Sequence, residues 1–238
     1  MWLQNNYADR LGNPARYRVA LFDYSEDTRM KSDFVLSVRQ SFFLAVAAGV
    51  FIGVGGSVLL SCDNRYMGAI LFAIALLAIC TLGLYLFTGK IGYIWNSHTV
   101  TDVTCVVVGF LGNMAGTWLS ATALRFSRAP LIDVVRPMVD AKLAQAPLQS
   151  VLTGIFCGLL MYTAVAIYKE KGTHLGILFC VPVFILAGFE HSIANLFYFF
   201  LAGEYSLRGV GFILLVVLGN TVGGMLVPAL RTVAGENK

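Results

Sequence analysis

Six long apolar segments decide what this chain can fold into. They cover residues 41–62, 67–97, 103–124, 150–168, 174–202 and 208–231. A helix of about 20 apolar residues crosses the hydrocarbon core of a bilayer. Only 13% of the residues are charged, against about 25% in soluble domains. The sequence therefore predicts an all-α polytopic membrane protein whose six transmembrane helices contact the lipid bilayer.

The second and fifth segments are too long for one span, and polar residues interrupt both. Thr88 and Lys90 stand between glycines in Leu86-Phe-Thr-Gly-Lys-Ile-Gly92, and the fifth segment contains Pro182 and Gly188-Phe-Glu-His191. Each segment is expected to form two half-helices joined by irregular backbone. Such backbone survives in a membrane only where protein or a water-filled cavity satisfies its polar groups.

An internal repeat relates the two halves of the chain. Gly49-Val-Phe-Ile-Gly53 matches Gly154-Ile-Phe-Cys-Gly158, 105 residues later. Leu111-Gly-Asn-Met-Ala-Gly116 matches Leu218-Gly-Asn-Thr-Val-Gly223, 107 residues later. Because each copy contains three spans, an odd number, the second copy is expected to insert upside down. The prediction is therefore two inverted three-helix repeats.

These patterns predict three regions along the chain. Residues 1–35 form a polar N-terminal segment, residues 36–232 form the transmembrane domain and residues 233–238 form a C-terminal tail. The repeats are expected at about 36–124 and 149–232. Lysine and arginine are in excess on the side of the N-terminus, so both termini are expected in the cytoplasm.

Glu190 and His191 are ionisable residues inside the fifth segment. An ionisable side chain at bilayer depth costs about 3 kcal/mol or more, which is tolerated where it faces a cavity, a pathway or a partner. Inverted repeats with paired broken helices place their site between the two breaks, so Thr88 is expected opposite His191. His191 can carry a proton near neutral pH. Alternatively, His191 bonds a neighbouring carbonyl group and locks the helix break.

Other polar residues near the breaks are expected to support this pair. Glu190 points about 100° away from His191 on a helix, and is expected to orient His191 or to accept from Asn113 or Asn220. The two asparagines are expected to hold the irregular backbone of spans two and five, or to join helices as polar residues in membrane bundles do. Asn195 is placed in the same supporting group.

Two further groups have an open interpretation. Apolar side chains flank the breaks and are either constrictions that block hydrated ions or ordinary core residues: Phe72, Leu76, Leu86, Phe87 and Phe184. Lys142, in the loop 125–149, and Lys31, just before the first span, either draw anions to a vestibule by their field or are solvated lysines.

Several kinds of site are missing from the sequence. No Gly-rich loop ends in Lys-Ser or Lys-Thr, so no ATP-driven pump is predicted. The five cysteines lack the spacing of metal ligands, and the net charge of +4 comes from termini and connecting segments. No cofactor, metal or nucleic acid is therefore predicted as a partner. An enzyme using Glu190 and His191 as acid and base would need a further nucleophile, which the sequence does not offer.

The motifs around the breaks resemble those of one family. Gly188-Phe-Glu-His-Ser-Ile-Ala-Asn195, Leu86-Phe-Thr-Gly89 and the two Gly-Asn-x-x-Gly elements are similar to the formate/nitrite transporter family over about residues 36–232. The resemblance implies an aquaporin-like protomer of six helices, assembled as a homopentamer in the cytoplasmic (inner) membrane. It also implies one pore per protomer, which passes small monovalent anions or their conjugate acids.

The resemblance also implies roles for single residues. It identifies His191 with the family's central histidine, Thr88 with its pore-loop threonine and Lys142 with a vestibule lysine. Lys31 is a looser match to a vestibule lysine. The five apolar residues that flank the breaks correspond to the family's hydrophobic slits.

The expected function is a passive channel or proton-coupled carrier for a small monovalent anion, which crosses as the protonated acid with His191 as proton relay. Tyr85 stands where many members of the family have glutamate, and Gly158 where many have asparagine. Together with Lys90, these departures resemble the hydrosulfide-conducting branch, so hydrosulfide is expected ahead of nitrite or formate. A neutral-solute pore of aquaporin-like architecture is the alternative, although the two Asn-Pro-Ala signatures of aquaporins are absent.

Overall fold

The computed structural model describes residues 14–128 and 130–236, with side chains from residue 31 onward. Two compact units divide the chain, Met1–Gln40 and Ser41–Lys238, and the first helix runs through both. The predicted N-terminal segment, 1–35, lies partly outside the described residues. In chain order the elements are α1 (Pro14–Ser61), α2 (Arg65–Thr81), α3 (Phe87–Lys90), a 3-10 helix (Ile91–Trp95), α4 (Val100–Ser127), α5 (Pro130–Leu143), α6 (Pro147–Lys171), α7 (Leu175–Leu186), α8 (Ser192–Ala202) and α9 (Leu207–Val233).

All regular secondary structure in the described part of the chain is helical, which confirms the predicted all-α class. Four helices are long and apolar enough to cross a membrane: the part of α1 from Lys31 to Ser61, α4, α6 and α9. Helices α4 and α6 each extend three residues beyond both ends of the predicted apolar segments. For α4 the reason is a polar cap, because the Thr99 side chain accepts from the Asp102 amide.

The second and fifth apolar segments are interrupted, as predicted. Helix α2 ends at Thr81 and α3 begins at Phe87, while α7 ends at Leu186 and α8 begins at Ser192. Each interruption contains a glycine with positive φ, Gly83 at 65° and Gly188 at 73°. This left-handed backbone is readily adopted only by glycine, so these residues turn the chain between half-helices.

The exact place of each interruption differs from the prediction. The motif Leu86–Gly92 was expected to be the irregular part, but Phe87 already starts a helix and the irregular backbone precedes it. Pro182 was expected to interrupt the fifth segment, but it lies inside α7. The chain leaves the helix only after Leu186, because Gly188 supplies the turn.

The predicted loop 125–149 is also mostly helical. Helix α5 occupies Pro130–Leu143 and buries Leu131, Val135 and Val139. These residues are four positions apart, which places them on one face of a helix. Lys142 is therefore held on a helix rather than in a loop.

Close backbone contacts relate the two halves of the second unit. A methyl group added to Gly116 on α4 would collide with the carbonyl oxygen of Val46 on α1. A methyl group added to Gly223 on α9 would collide with the carbonyl oxygen of Ile155 on α6. Small residues at such crossings let membrane helices approach closely, and the two crossings use the same contact.

These contacts correct the alignment of the repeat. Gly49 packs against the carbonyl of Asn113, and Gly158 packs against the carbonyl of Asn220. Gly49 therefore corresponds to Gly158, 109 residues later, and not to Gly154 as the glycine pattern predicted. The pattern was out of register by four residues, or about one helical turn, because glycines repeat at this spacing along one helix face.

Candidate functional site

The site begins with two buried asparagines that hold the irregular backbone of the breaks. Asn113 accepts at Oδ1 from the amide of Phe87 at 2.8 Å, and its Nδ2 donates to the carbonyls of Ala45 and Tyr85, each at 2.8 Å. Phe87 is the first residue of α3, so this side chain satisfies an amide that has no partner within the helix.

Asn220 makes the same three bonds in the second repeat. Its Oδ1 accepts from the amide of Ser192 at 2.9 Å, and its Nδ2 donates to the carbonyls of Gly154 at 2.9 Å and Glu190 at 2.8 Å. Asn113 and Asn220 are both fully buried. The two breaks are thus held in place by equivalent side chains, each with its hydrogen-bonding capacity used on backbone.

Between the breaks, the side chains of Thr88 and His191 meet. Thr88 Oγ1 lies 3.0 Å from His191 Nε2, and the two residues are 0% and 2% exposed. The amide of Ala194 donates to His191 Nδ1 at 3.1 Å. Since an amide can only donate, Nδ1 carries a lone pair and neutral His191 has its proton on Nε2. His191 therefore donates to Thr88, which keeps its own hydroxyl hydrogen for donation.

His191 owes this orientation to its position before a helix. It is the N-cap of α8, with extended backbone at φ −102° and ψ 115°. Histidine here does what Ser, Thr or Asp usually does at such a position, because its ring nitrogen accepts from an amide of the first turn. The ring of Phe184 stacks on His191 at 5.6 Å between ring centres.

Glu190 has different partners from those predicted. Its carboxylate accepts from Lys142 Nζ at 2.5 Å, from Gln145 Nε2 at 2.8 Å and from Asn195 Nδ2 at 2.9 Å. Among the described residues, no hydrogen bond joins the carboxylate to His191, Asn113 or Asn220; Asn220 donates only to the backbone carbonyl of Glu190.

The expectation that Glu190 orients His191 is therefore wrong. Neighbouring side chains on extended backbone point to opposite sides. The Glu190 side chain therefore points toward the C-terminal end of α5, while the His191 side chain points toward Thr88. The carboxylate is 2% exposed. A charge at that depth requires an ion pair and further hydrogen bonds, and this carboxylate has both.

The two candidate vestibule lysines, Lys142 and Lys31, lie in different environments. Lys142 is paired with Glu190, and its side chain is 15% exposed. Its charge is thus largely balanced by a buried carboxylate, which the interpretation as a lone vestibule cation did not include. Lys31 is exposed and belongs to the Met1–Gln40 unit, so its predicted vestibule role stays a prediction.

Two cavities lie on either side of the Thr88–His191 pair. The first has a volume of about 420 Å³, and its lining includes Arg65, Lys142, Glu190 and His191. The second has a volume of about 80 Å³, and Gly89, the neighbour of Thr88, is part of its lining. The hydrogen-bonded pair therefore stands between two spaces that open toward different ends of the helices.

The predicted apolar residues divide between these cavities and the core. Phe184 lines the first cavity and packs edge-on against Phe72 at 6.2 Å. Leu76 and Leu86 line the second cavity. Phe72 and Phe87 line neither, and Phe87 packs edge-on against Phe110 at 5.3 Å. All five side chains are buried, and their role as constrictions stays a prediction.

Sequence reasoning missed several residues of the site. Arg65 donates to the last carbonyls of α7, those of Ile185 at 3.3 Å and Leu186 at 3.2 Å. Gln145 follows α5, which was read as a loop, so nothing in the pattern connected it with Glu190. Lys169, near the C-terminal end of α6, lines the second cavity. Within the described residues, no cluster of His, Cys, Asp and Glu could hold a metal ion.

Comparisons with known proteins agree with this architecture. The nitrite transporter NirC of Salmonella typhimurium is 28% identical over 207 residues, covering 75% of this chain and 77% of NirC. Formate-nitrite transporter 3 of Toxoplasma gondii is 23% identical over 258 residues, covering 89% of this chain and 49% of that protein.

Solved structures share the fold. A structure described as a pentameric formate channel with formate bound has a TM-score of 0.70 and 21% identity, covering 84% of this chain and 98% of that chain. An FNT family ion channel has a TM-score of 0.74 and 24% identity, covering 87% and 93%. The sequence profile described as formate/nitrite transporter matches residues 23–234. With nearly its whole length matched, this multi-pass membrane protein belongs to the formate/nitrite transporter family.

Proposed function

We propose that this protein conducts a small monovalent anion together with a proton, and that the solute crosses the centre of the protomer as the neutral acid. The observation that carries the proposal is the buried Thr88–His191 pair, 3.0 Å apart, between two cavities with cationic linings. Apolar side chains stand on both sides of the pair: Phe184 toward the first cavity, and Leu76 and Leu86 toward the second.

The reason for neutral passage is desolvation. An anion that leaves water for an apolar passage loses solvation, and the same loss raises the proton affinity of any acid. Lysine and arginine at the cavities attract the anion by their field, so it arrives charged. Protonation then removes the charge that Phe184, Leu76 and Leu86 would otherwise exclude.

In this proposal His191 relays the proton and Thr88 donates a hydrogen bond to the solute. Nδ1 of His191 holds the amide of Ala194, so the ring can take up a second proton only by releasing that amide. The charged state of His191 is therefore brief, and the neutral state is restored when Nδ1 again caps α8. Such a cycle suits a relay better than a permanent cation.

We propose hydrosulfide as the favoured solute, followed by nitrite or formate. Support comes from Tyr85, Lys90 and Gly158, which differ from the family pattern. Gly158 lies at the crossing of α6 and α9, against the backbone of Asn220 so closely that any side chain would collide. The relatives named for nitrite and formate support the same class of solute.

We also propose a homopentamer in the cytoplasmic membrane, with both termini in the cytoplasm and no catalytic activity. One solved structure of the same fold is described as pentameric. Helix α9 exposes a continuous apolar face, which lipid or another subunit would cover: Leu214, Leu218, Val222, Leu226 and Leu230.

The test is uptake of hydrosulfide, nitrite, formate and acetate into proteoliposomes, with internal pH followed and protein-free vesicles subtracted. We expect uptake that accelerates as external pH falls, with hydrosulfide ahead, and strong loss in His191→Ala. Uptake in His191→Ala with the rate and pH dependence of the unmodified protein would eliminate the relay. Absence of uptake for every anion would eliminate the transport proposal.

A further inference from the structure

The second cavity has two cations in its lining, Lys90 and Lys169. Lys90 Nζ lies 5.2 Å from the ring centre of Tyr85, and Lys169 Nζ lies 3.8 Å from the ring centre of Tyr93. Contacts of this kind hold an ammonium group without cancelling its charge. The two lysines come from different elements, α3 and the end of α6, so the fold brings them to one space.

Neither lysine forms an ion pair with a carboxylate in the described part of the protein. The ion pairs found there join Lys142 with Glu190, and Arg231 with Glu170 and Glu236. The residues that line the second cavity include neither aspartate nor glutamate. The first cavity is different, since its Lys142 is paired with the buried Glu190.

The two ends of the passage therefore differ in charge density. The first cavity holds Lys142, Arg65 and Glu190 in about 420 Å³, which sums to one positive charge. The second holds Lys90 and Lys169 in about 80 Å³, which sums to two. Because the field of a charge grows as the distance shrinks, the smaller cavity is expected to attract an anion more strongly.

We propose that the second cavity is a binding site for a small monovalent anion, held between Lys90 and Lys169 before it passes Leu76 and Leu86. This inference rests on the proposed function and names a site for it. A water molecule occupies about 30 Å³ of liquid, so the cavity has room for an anion of a few atoms. Occupancy from this end is expected to saturate at lower anion concentration than from the other.

Cys80 reports on this site, because it lines the same cavity and is half-buried. The experiment uses the full chain in liposomes, with Cys62, Cys105, Cys157 and Cys180 replaced by alanine. The rate of Cys80 modification is measured with two methanethiosulfonate reagents, one carrying a sulfonate and the other a trimethylammonium group. Each rate is divided by the reagent's rate with a free thiol.

We expect the sulfonate reagent to react faster, and each of Lys90→Gln and Lys169→Gln to lower the ratio of the two rates roughly tenfold. Lys90→Arg and Lys169→Arg should keep the ratio, which controls for a change in folding. Lys171→Gln, an exposed cation two residues further along the chain, should also leave the ratio unchanged. Nitrite or formate at millimolar concentration should slow the modification, and the two glutamine variants should lose this protection.

Equal corrected rates for the two reagents, or protection that survives both glutamine substitutions, would overturn the site. The result of the Cys80 labelling does not depend on whether the protein transports the anion. Charge preference and protection without uptake would support the site and reject the transport proposal. If uptake is observed but the ratio of the two labelling rates is unchanged in the Lys90 and Lys169 variants, this inference is rejected and the proposed function stands.

Discussion

Thr88 Oγ1 and His191 Nε2 form a hydrogen bond of 3.0 Å across 103 positions of sequence, with each residue standing beside one break of a helix. The bond has a defined direction, because His191 Nδ1 already accepts from Ala194. In the proposed passage, Thr88 therefore keeps a hydroxyl hydrogen for donation to the solute. This arrangement is the basis of the proposed function.

Thr88→Val tests the bond directly. The change removes the acceptor and leaves the buried Nε2–H of His191 without a partner, which costs about 1–3 kcal/mol. It also removes the hydrogen bond offered to the solute, so we expect at least a tenfold loss of anion uptake. Thr88→Ser keeps the hydroxyl and should retain most uptake. If valine supported the same uptake as serine, Thr88 would have no role in conduction.

The Lys142–Glu190 pair predicts a strongly non-additive double substitution. Lys142→Met leaves the carboxylate buried without its cation, and breaking a buried pair in this way costs about 3–5 kcal/mol. Glu190→Gln in the same chain should recover most of that loss, because a neutral amide still bonds Gln145. Thermal unfolding of the two single variants and the double variant in detergent measures the coupling. Additive losses would mean that the pair contributes little to stability.

The helix crossings predict opposite effects for two glycines of α9. Gly223→Ala places a methyl group against the Ile155 carbonyl and should lower stability by about 1–3 kcal/mol. Gly211→Ala meets nothing within 4 Å and should stabilise by up to about 1 kcal/mol, since alanine favours helix. The melting temperatures of the two variants decide the point. Equal shifts in one direction would contradict the close contact.

Ser192 and Asn220 can be compared directly, because the two residues are neighbours in space but their side chains differ in hydrogen bonding. The hydroxyl of Ser192 is the buried side-chain polar atom without a partner in the described part of the chain. Removing an unpaired group leaves nothing unsatisfied, so Ser192→Ala should change stability by less than about 1 kcal/mol. Asn220→Ala leaves one backbone amide and two backbone carbonyls without their hydrogen-bond partner. It should therefore lower the free energy of unfolding several times more than Ser192→Ala. A large loss in Ser192→Ala would mean that its hydroxyl has a partner.

The sequence predicted the centre of the site because that part depends on spacing. The two breaks are separated by nearly the same number of residues as the other matching parts of the two repeats, so the sequence alone placed Thr88 opposite His191. The asparagines could be assigned to the breaks for the same reason. Hydropathy located the four long helices, since the apolar length sets the span, but not their ends: α1 begins at Pro14, well before the predicted segment 41–62.

What the sequence could not predict depends on packing between distant elements. Two of the three partners of Glu190, Lys142 and Gln145, lie on or just after α5. The charged residues and internal Pro137 of α5 make its apolar face hard to recognise in the sequence. Gly49 and Gly158 could not be paired, because glycines at every fourth position allow two registers. Phe72 and Phe87 flank the breaks in sequence, but the direction of each ring is decided by neighbours such as Phe184 and Phe110.

The central claim is that the solute crosses without charge, and one measurement addresses it directly. Nitrite uptake and internal pH are followed together in proteoliposomes while potassium and valinomycin hold the membrane potential at chosen values. Moving one charge across 100 mV is worth about 2.3 kcal/mol, so a permeating anion would respond steeply to the potential. We predict an uptake rate that does not change with the potential, with one proton entering for each nitrite. Uptake that follows the potential without acidifying the interior would contradict the account.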